Sequence, residues 1–312
     1  MKTILTRAIL FITLTVAYVI GGCSGSTPGL VATPEFDARN TLRFIEKQVS
    51  FGPRVPGSPA WEECRAYLIA YFDSLGYEVK RHDFTHVDYL TGQTIPLTNM
   101  LVTQKDPPKS DEGAILLCAH WDSRPRSERD PDPARRNDSL PGANDGAAGV
   151  AMLMQFAALV KATPPKAPIA FALFDGEDWG QEGDNNQYGI GAREFARHIS
   201  PLEYRFGVLF DIIAHPNARF LREGNSDLYA RKITKKIWAT AQQMGVSRFV
   251  DKTGNPVIDD HLPLLNAGVP TVDIIDMRYK YWHTTADTPD KCDSAALHDV
   301  GSVIAQVIYR EQ

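Results

Sequence analysis

Residues 169–178 read IAFALFDGED, an apolar run of strand length that stops in three carboxylates, Asp175, Glu177 and Asp178. The run Ile169 to Phe174 has the length and composition of a buried strand. Like charges crowded at the mouth of a core cost free energy unless something positive sits among them. A metal ion is the simplest compensation. The plain alternative is an acidic turn that leaves a strand for solvent, and the rest of the chain decides between the two.

The same design recurs. Ala114 to Ala119 is an apolar strand ending at His120, in CAHWDSRP. Asp145 stands in GANDGAAG at the start of an apolar helix, where an N-cap is the competing role. Asp211, in LFDII, has apolar neighbours on both sides, and a buried unpaired carboxylate is rare. His283 lies in YWHTTADTPD, where a surface loop is the alternative. Asp259-Asp260-His261 opens a helix, and acids there also suit the helix dipole. In open α/β sheets, ligands bind beyond the carboxyl ends of the strands. Convergence of His120, Asp145, Glu177-Asp178, Asp211 and His283 on such an edge is the expected form of a metal site. Carboxylates mixed with imidazoles suit zinc with an open position for catalysis.

The intervening pattern supports that placement. Helical spacing marks 36–49, a Trp61–Leu75 segment ending near Gly76, 146–160, 190–198, 227–244 and 295–309. Strands are expected at Tyr77–Val87, Leu97–Thr103, Ala114–Ala119, Ile169–Phe174, Phe206–Ile213 and Thr271–Ile275. The long polar segment Asp122 to Pro141 and the loop Gln181 to Gly189 are expected to rim a pocket. From Ala114 onward strands alternate with helices, whereas the first two strands follow each other. This predicts one α/β domain with a mixed, mostly parallel sheet between helices and an antiparallel edge.

The N-terminus reads as an export signal. Lys2 and Arg7 precede the apolar stretch Ala8 to Ile20, which is short for a membrane span. Ile20-Gly21-Gly22-Cys23 resembles a bacterial lipobox, and the Ser/Gly/Thr/Pro-rich residues that follow resemble a tether. The expected division is a lipoprotein signal peptide over 1–22, a tether over 23–34 lipidated at Cys23, and a catalytic domain over 35–312. An uncleaved anchor or a plain secretory signal is the alternative. In each case the folded part lies outside the cytoplasm, and lipidation would hold it in the cell envelope, in the periplasm or at the outer membrane. The formal net charge of −5 offers no basic footprint for nucleic acid. Cys64, Cys118 and Cys292 remain, an odd number that allows at most one internal disulfide, with Cys118 a buried thiol and a Cys64–Cys292 pair open.

With these motifs in order, the mature chain resembles the zinc aminopeptidase/glutaminyl cyclase superfamily over nearly its whole length. RVPGSP, HWDSRP, GANDGAAG, FDGED, LFDII, DDHLPLL and WHTTAD look more like the animal-type glutaminyl cyclases than the aminopeptidases. The resemblance implies that Asp145, Asp178 and His283 hold one zinc, with Asp178 where the animal cyclases have Glu. It implies Glu177 as general acid/base, Asp211 and Asp259 as acids of the adjoining hydrogen-bond network, and Trp282 as a pocket wall. His120 and Asp211 would bind a second metal, bridged by Asp145, in an aminopeptidase. The chain departs from the animal pattern near Gly183, where a second pocket tryptophan is absent and nearby Trp179 is expected to take its place in the substrate pocket. It departs again at Asp273, where the animal enzymes have His.

Two activities therefore share one expected site. A cyclase would act on peptides or proteins with N-terminal glutamine, closing the ring to pyroglutamate and releasing ammonia. An aminopeptidase would use Glu177 to activate water against the first peptide bond. A third class, a lipid-anchored binding protein without catalysis, has no need of the Glu177 that this chain retains.

Overall fold

The structure, a computed structural model, describes residues 29–181 and 183–311. The signal segment, Cys23 and residues 24–28 of the expected tether lie outside the described residues. Helices α1 (Ala38–Val49) and α2 (Pro59–Ser74) come first, each begun by a side-chain cap. Asp37 accepts from the Asn40 amide, and Ser58 accepts from Trp61 with Pro59 in the first turn. Strands β1 (Tyr77–Val87), β2 (Thr94–Gln104) and β3 (Ala114–His120) follow, then α3 (Ala148–Ala162), β4 (Ile169–Phe174), α4 (Ile190–Ala196) and β5 (Tyr204–Phe210). The C-terminal third adds β6 (Phe220–Arg222), α5 (Gly224–Tyr229), α6 (Arg231–Met244), β7 (Phe249–Thr253), α7 (His261–Asn266), β8 (Thr271–Ile274) and α8 (Ser294–Arg310).

Six strands form one sheet in the order β1-β2-β4-β3-β5-β8. The β1/β2 and β2/β4 pairs are antiparallel; β3/β4, β3/β5 and β5/β8 are parallel. This is the expected mixed α/β sheet with an antiparallel edge. The carboxyl ends of β3, β4, β5 and β8 consequently lie side by side.

Strand alternation sends side chains to two covered faces. Leu117, Ala119, Phe171, Leu173, Val208 and Phe210 pack with α1, α2, α3, α6 and α8. Leu116, Cys118, Ala172, Phe174 and Leu209 pack with Ala192 of α4 and Leu264 of α7. Burial on both faces explains why β4 reads as unbroken apolar sequence. Gly149 sets the distance between α3 and the sheet: a Cβ there would stand 2.2 Å from the Phe210 carbonyl oxygen and 2.8 Å from the Ala119 Cβ. That close approach brings the start of α3 against the ends of β3 and β5.

Two local expectations change. The helix expected over 227–244 is two helices, α5 and α6, parted at Ala230, whose φ of −115° and ψ of 29° break the helical path. Strands β6 and β7 form a separate parallel pair that the sequence pattern did not reveal. All three cysteines among the described residues are free thiols, so the Cys64–Cys292 pairing left open above does not form.

Candidate metal centre and active site

His120 ends β3, and its Nε2 lies 3.3 Å from Asp145 Oδ1 and 3.3 Å from Asp211 Oδ1. Asp145 precedes α3 in a kinked turn, with φ −96° and ψ 94°, followed by Gly146 at φ 99°. A Cβ at Gly146 would meet the Asp122 carbonyl at 2.6 Å, so the turn needs glycine. Neither Asp145 nor Asp260 caps its helix with its side chain. Asp145 is instead fixed from behind: Asp287 accepts from the Asn144 and Asp145 amides at 3.0 and 3.1 Å, and from the Tyr279 hydroxyl at 2.7 Å.

On the other side of Asp145 stands His283, whose Nε2 is 3.9 Å from Asp145 Oδ2 and 3.4 Å from Asp178 Oδ1. His283 has φ 56° and Ile212, next to Asp211, has φ 48°, both in the left-handed region that β-branched or bulky residues avoid. Strain of this kind is typical of positions whose side chain must point one way. Two triads result, His120/Asp145/Asp211 and Asp145/Asp178/His283, each offering ligand atoms within 4.8 Å of one another. Asp145 belongs to both.

The donor chemistry fits zinc. Nitrogen and oxygen ligands bound at about 2 Å in a tetrahedron lie somewhat more than 3 Å apart, as these atoms do. Asp145 Oδ2 and Asp178 Oδ2 are buried and have no hydrogen-bond partner, an arrangement that a cation would relieve.

The three acids after β4 have different surroundings. Asp175 faces the interior and accepts from Trp61 Nε1 at 3.0 Å and the Thr98 amide at 2.7 Å, so it anchors the turn. The Glu177 and Asp178 amides both donate to the Asp122 carboxylate at 3.2 Å. Burial pushes Glu177 well above the usual carboxylate range, with Asp178, Asp259 and Asp260 adding to the effect against the pull of His120. Burial would also raise Asp178, but Arg124 and His283 outweigh it and hold that carboxyl low. Arg124 Nη1 donates to Asp178 Oδ1 at 2.7 Å and to its carbonyl at 3.0 Å.

Behind this row lies a second buried set. Asp211 is pushed up to about 8 by burial, with Asp259 and Asp145 contributing. Asp259, His261 and Asp273 cluster beneath it, and His261 Nε2 reaches Glu223 Oε2 at 3.1 Å. Burial likewise raises Asp259, Asp260 and Asp273. Trp282 is half-buried over His283, with ring centroids 3.8 Å apart, and the Arg129 guanidinium lies 4.5 Å from the Trp282 ring centroid. Trp179 packs instead with Ile95, Leu97 and Ile190, its Nε1 donating to Asp88 at 3.1 Å.

The long segment expected to rim the pocket is pinned to it. Arg129 donates its amide to the His283 carbonyl at 3.1 Å, and Asp130 accepts from the Thr285 amide at 2.9 Å. Buried Arg54 closes its base through the carbonyls of Trp121, Pro141 and Gly142. Sequence reasoning missed Asp122, Arg124, Asp287 and Arg54. Only their places in HWDSRP, TTAD and RVPGSP could have marked them.

Comparison with known proteins agrees with this arrangement. Residues 99–308 match the model of Peptidase family M28. The structure is similar to that of a leucine aminopeptidase precursor from Bacteroides thetaiotaomicron, with 33% identity and a TM-score of 0.86, covering 91% of this chain and 100% of that one. It is similar to a glutaminyl cyclase from the same organism, with 32% identity and a TM-score of 0.85, covering 90% and 100%. The glutaminyl-peptide cyclotransferase-like protein of Bos taurus is 25% identical, over 81% of this chain and 70% of its own. The resemblance to animal-type cyclases is therefore joined by a stronger likeness to bacterial chains. The chain belongs to peptidase family M28.

Proposed function

We propose that this chain is a zinc-dependent glutaminyl-peptide cyclotransferase, converting N-terminal glutamine of peptides or proteins to pyroglutamate with release of ammonia. The observation that carries the reading is the asymmetry of the two triads. Around Asp145, Asp178 and His283 both carboxylates keep a buried oxygen without a partner, whereas of His120, Asp145 and Asp211 only the carboxylate shared by the two triads does. That favours one resident zinc, held by Asp145, Asp178 and His283. The likeness to a bacterial glutaminyl cyclase supports the cyclase reading.

Bound there, zinc supplies Lewis-acid polarisation to an amide carbonyl. Glu177, whose carboxyl burial holds above the usual carboxylate range, takes a proton from the substrate α-amine. The amine nitrogen then bonds to the side-chain carbonyl carbon, the carbon–nitrogen bond to the amide nitrogen breaks, and Glu177 returns the proton to the departing ammonia. Attack is intramolecular, so the site mainly holds the ring-closing geometry. Asp211 and Asp259 orient the amine and the leaving group, and Trp282 walls the pocket against water. Asp273, standing where animal cyclases have His, lies in the same buried cluster as Asp259 and His261.

Aminopeptidase activity is the second reading, because Asp145 is placed to bridge two metals with His120 and Asp211 as further ligands. We further infer export by the signal over 1–22, lipid anchoring at Cys23, a tether over 23–34 and a catalytic domain over 35–312; the lipobox-like Ile20-Gly21-Gly22-Cys23 supports this. The deciding experiment incubates zinc-loaded protein with one peptide beginning in Gln and one beginning in Leu, and weighs the products. Loss of one ammonia from the Gln peptide alone is expected. Removal of the first residue from either peptide would replace the cyclase reading with the aminopeptidase one.

A further inference from the structure

A second cluster of ligand type lies away from the site above, where β1 meets the end of α4. His82 Nε2 is 3.2 Å and His198 Nε2 is 3.0 Å from one oxygen, Glu194 Oε1. The two imidazole centroids are 5.2 Å apart, and the three ligand atoms fall within 4.8 Å. Arg197 Nη1 holds the other oxygen, Glu194 Oε2, at 2.7 Å, which leaves Oε1 turned to the imidazoles. We propose that His82, Glu194 and His198 form a second site for a divalent transition metal, of the zinc, nickel or copper class.

The donor set argues for that class. Two imidazole nitrogens and one carboxylate oxygen suit borderline metals and leave positions for water. The three residues come from separately fixed pieces of chain. His82 lies in the β1/β2 ladder opposite Asn99. Glu194 is in α4, and the His198 amide returns to the Phe195 carbonyl at 3.0 Å. The side chains of His82 and His198 are 49% and 60% exposed, so a metal can reach them from solvent.

The competing arrangement has both imidazoles donating Nε2–H to the same oxygen with no metal. The two differ in consequence. A metal would fasten α4 to the edge hairpin, and α4 begins where Gly189 donates to the Glu177 carbonyl at 3.0 Å and Ile190 donates to the Gly176 carbonyl at 3.3 Å. The site would therefore brace the turn that carries Glu177.

The test is equilibrium dialysis of the zinc-loaded protein against rising free zinc, with metal counted per chain. Wild type should bind one more zinc than His82→Ala, His198→Ala or Glu194→Gln. Excess zinc at about a hundredfold over its Kd should raise the Tm of wild type by about 5 °C and leave His82→Ala unmoved. Equal metal counts and equal Tm responses in wild type and His82→Ala would overturn the proposal. His82 stands on an exposed strand position, so this variant decides the matter if His198→Ala folds poorly. The proposal does not depend on which peptide reaction the chain performs.

Discussion

At the residue scale, Glu177 and Arg124 make separable demands. Glu177 holds and moves a proton in either proposed reaction, while the metal rests on its neighbours. Glu177→Gln keeps shape and hydrogen bonding but cannot take the proton. Its kcat should fall about 10²–10⁴-fold with the zinc content per chain unchanged. A comparable kcat would remove Glu177 from the chemistry. Arg124 acts through Asp178, which it grips by both carboxylate and carbonyl. Its other nitrogens hold Glu128 and the Tyr188 hydroxyl. Lysine has one ammonium and cannot span these partners. Arg124→Lys should weaken zinc about 10–100-fold in competition with a chelator; an unchanged affinity would show that Asp178 needs no such support. The proposed ligands, which the structure brings together, were legible in the sequence because each interrupts apolar sequence at the end of a strand or turn. Arg124, Asp122 and Asp287 were not, since each acts on a residue 54 to 143 positions away through contacts that only the folded chain creates.

At the element scale, the strands and helices that place the site follow from periodicity, and the misses are short or interrupted. β6 has three residues and β7 five, too few to show alternation. The break at Ala230 leaves helix-forming residues on both sides, so it is invisible to spacing. What begins α5 is Glu223. Its carboxylate accepts from the amides of Asn225 and Ser226 at 2.9 and 2.7 Å, from Val257 at 2.9 Å, and faces His261 at 3.1 Å. Burial opposes its charge, but His261 and the two helix amides lower its pKa to about 2. The folded value thus lies below the unfolded one, near 4.3. The stabilisation is complete above the unfolded value and fades as pH falls toward the folded one. Glu223→Gln should cost about 2 kcal/mol in urea unfolding at neutral pH, and the gap should close as pH falls to about 2. A gap that persists in acid would mean that packing, not charge, is what the variant loses.

At the scale of the whole molecule, the parallel sheet that made the fold legible also creates its electrostatic problem. The ends of the parallel strands, with the turns before α3 and α7, bring Asp122, Asp145, Glu177, Asp178, Asp211, Asp259, Asp260 and Asp273 into one buried region. Basic side chains buried beside them include His120, His283, His261, Arg54 and Arg124. Arg124 is committed to Asp178 and Glu128, and His261 to Glu223. A cation at Asp145, Asp178 and His283, as proposed, would therefore complete the core as well as the candidate active site, and its binding free energy would add to folding free energy. At about a thousandfold excess over Kd that linkage amounts to about 4 kcal/mol, or about 10 °C in Tm. Stripping the metal with a chelator should lower Tm by that order, and zinc should restore it where magnesium does not, because magnesium is a poor match for imidazole. Asp145→Asn separates the site from the fold as a whole. That variant should melt near the stripped wild type and respond little to zinc when His82 is also replaced by Ala. A full zinc response in the double variant would mean that the metal stabilises the chain from somewhere other than the strand ends.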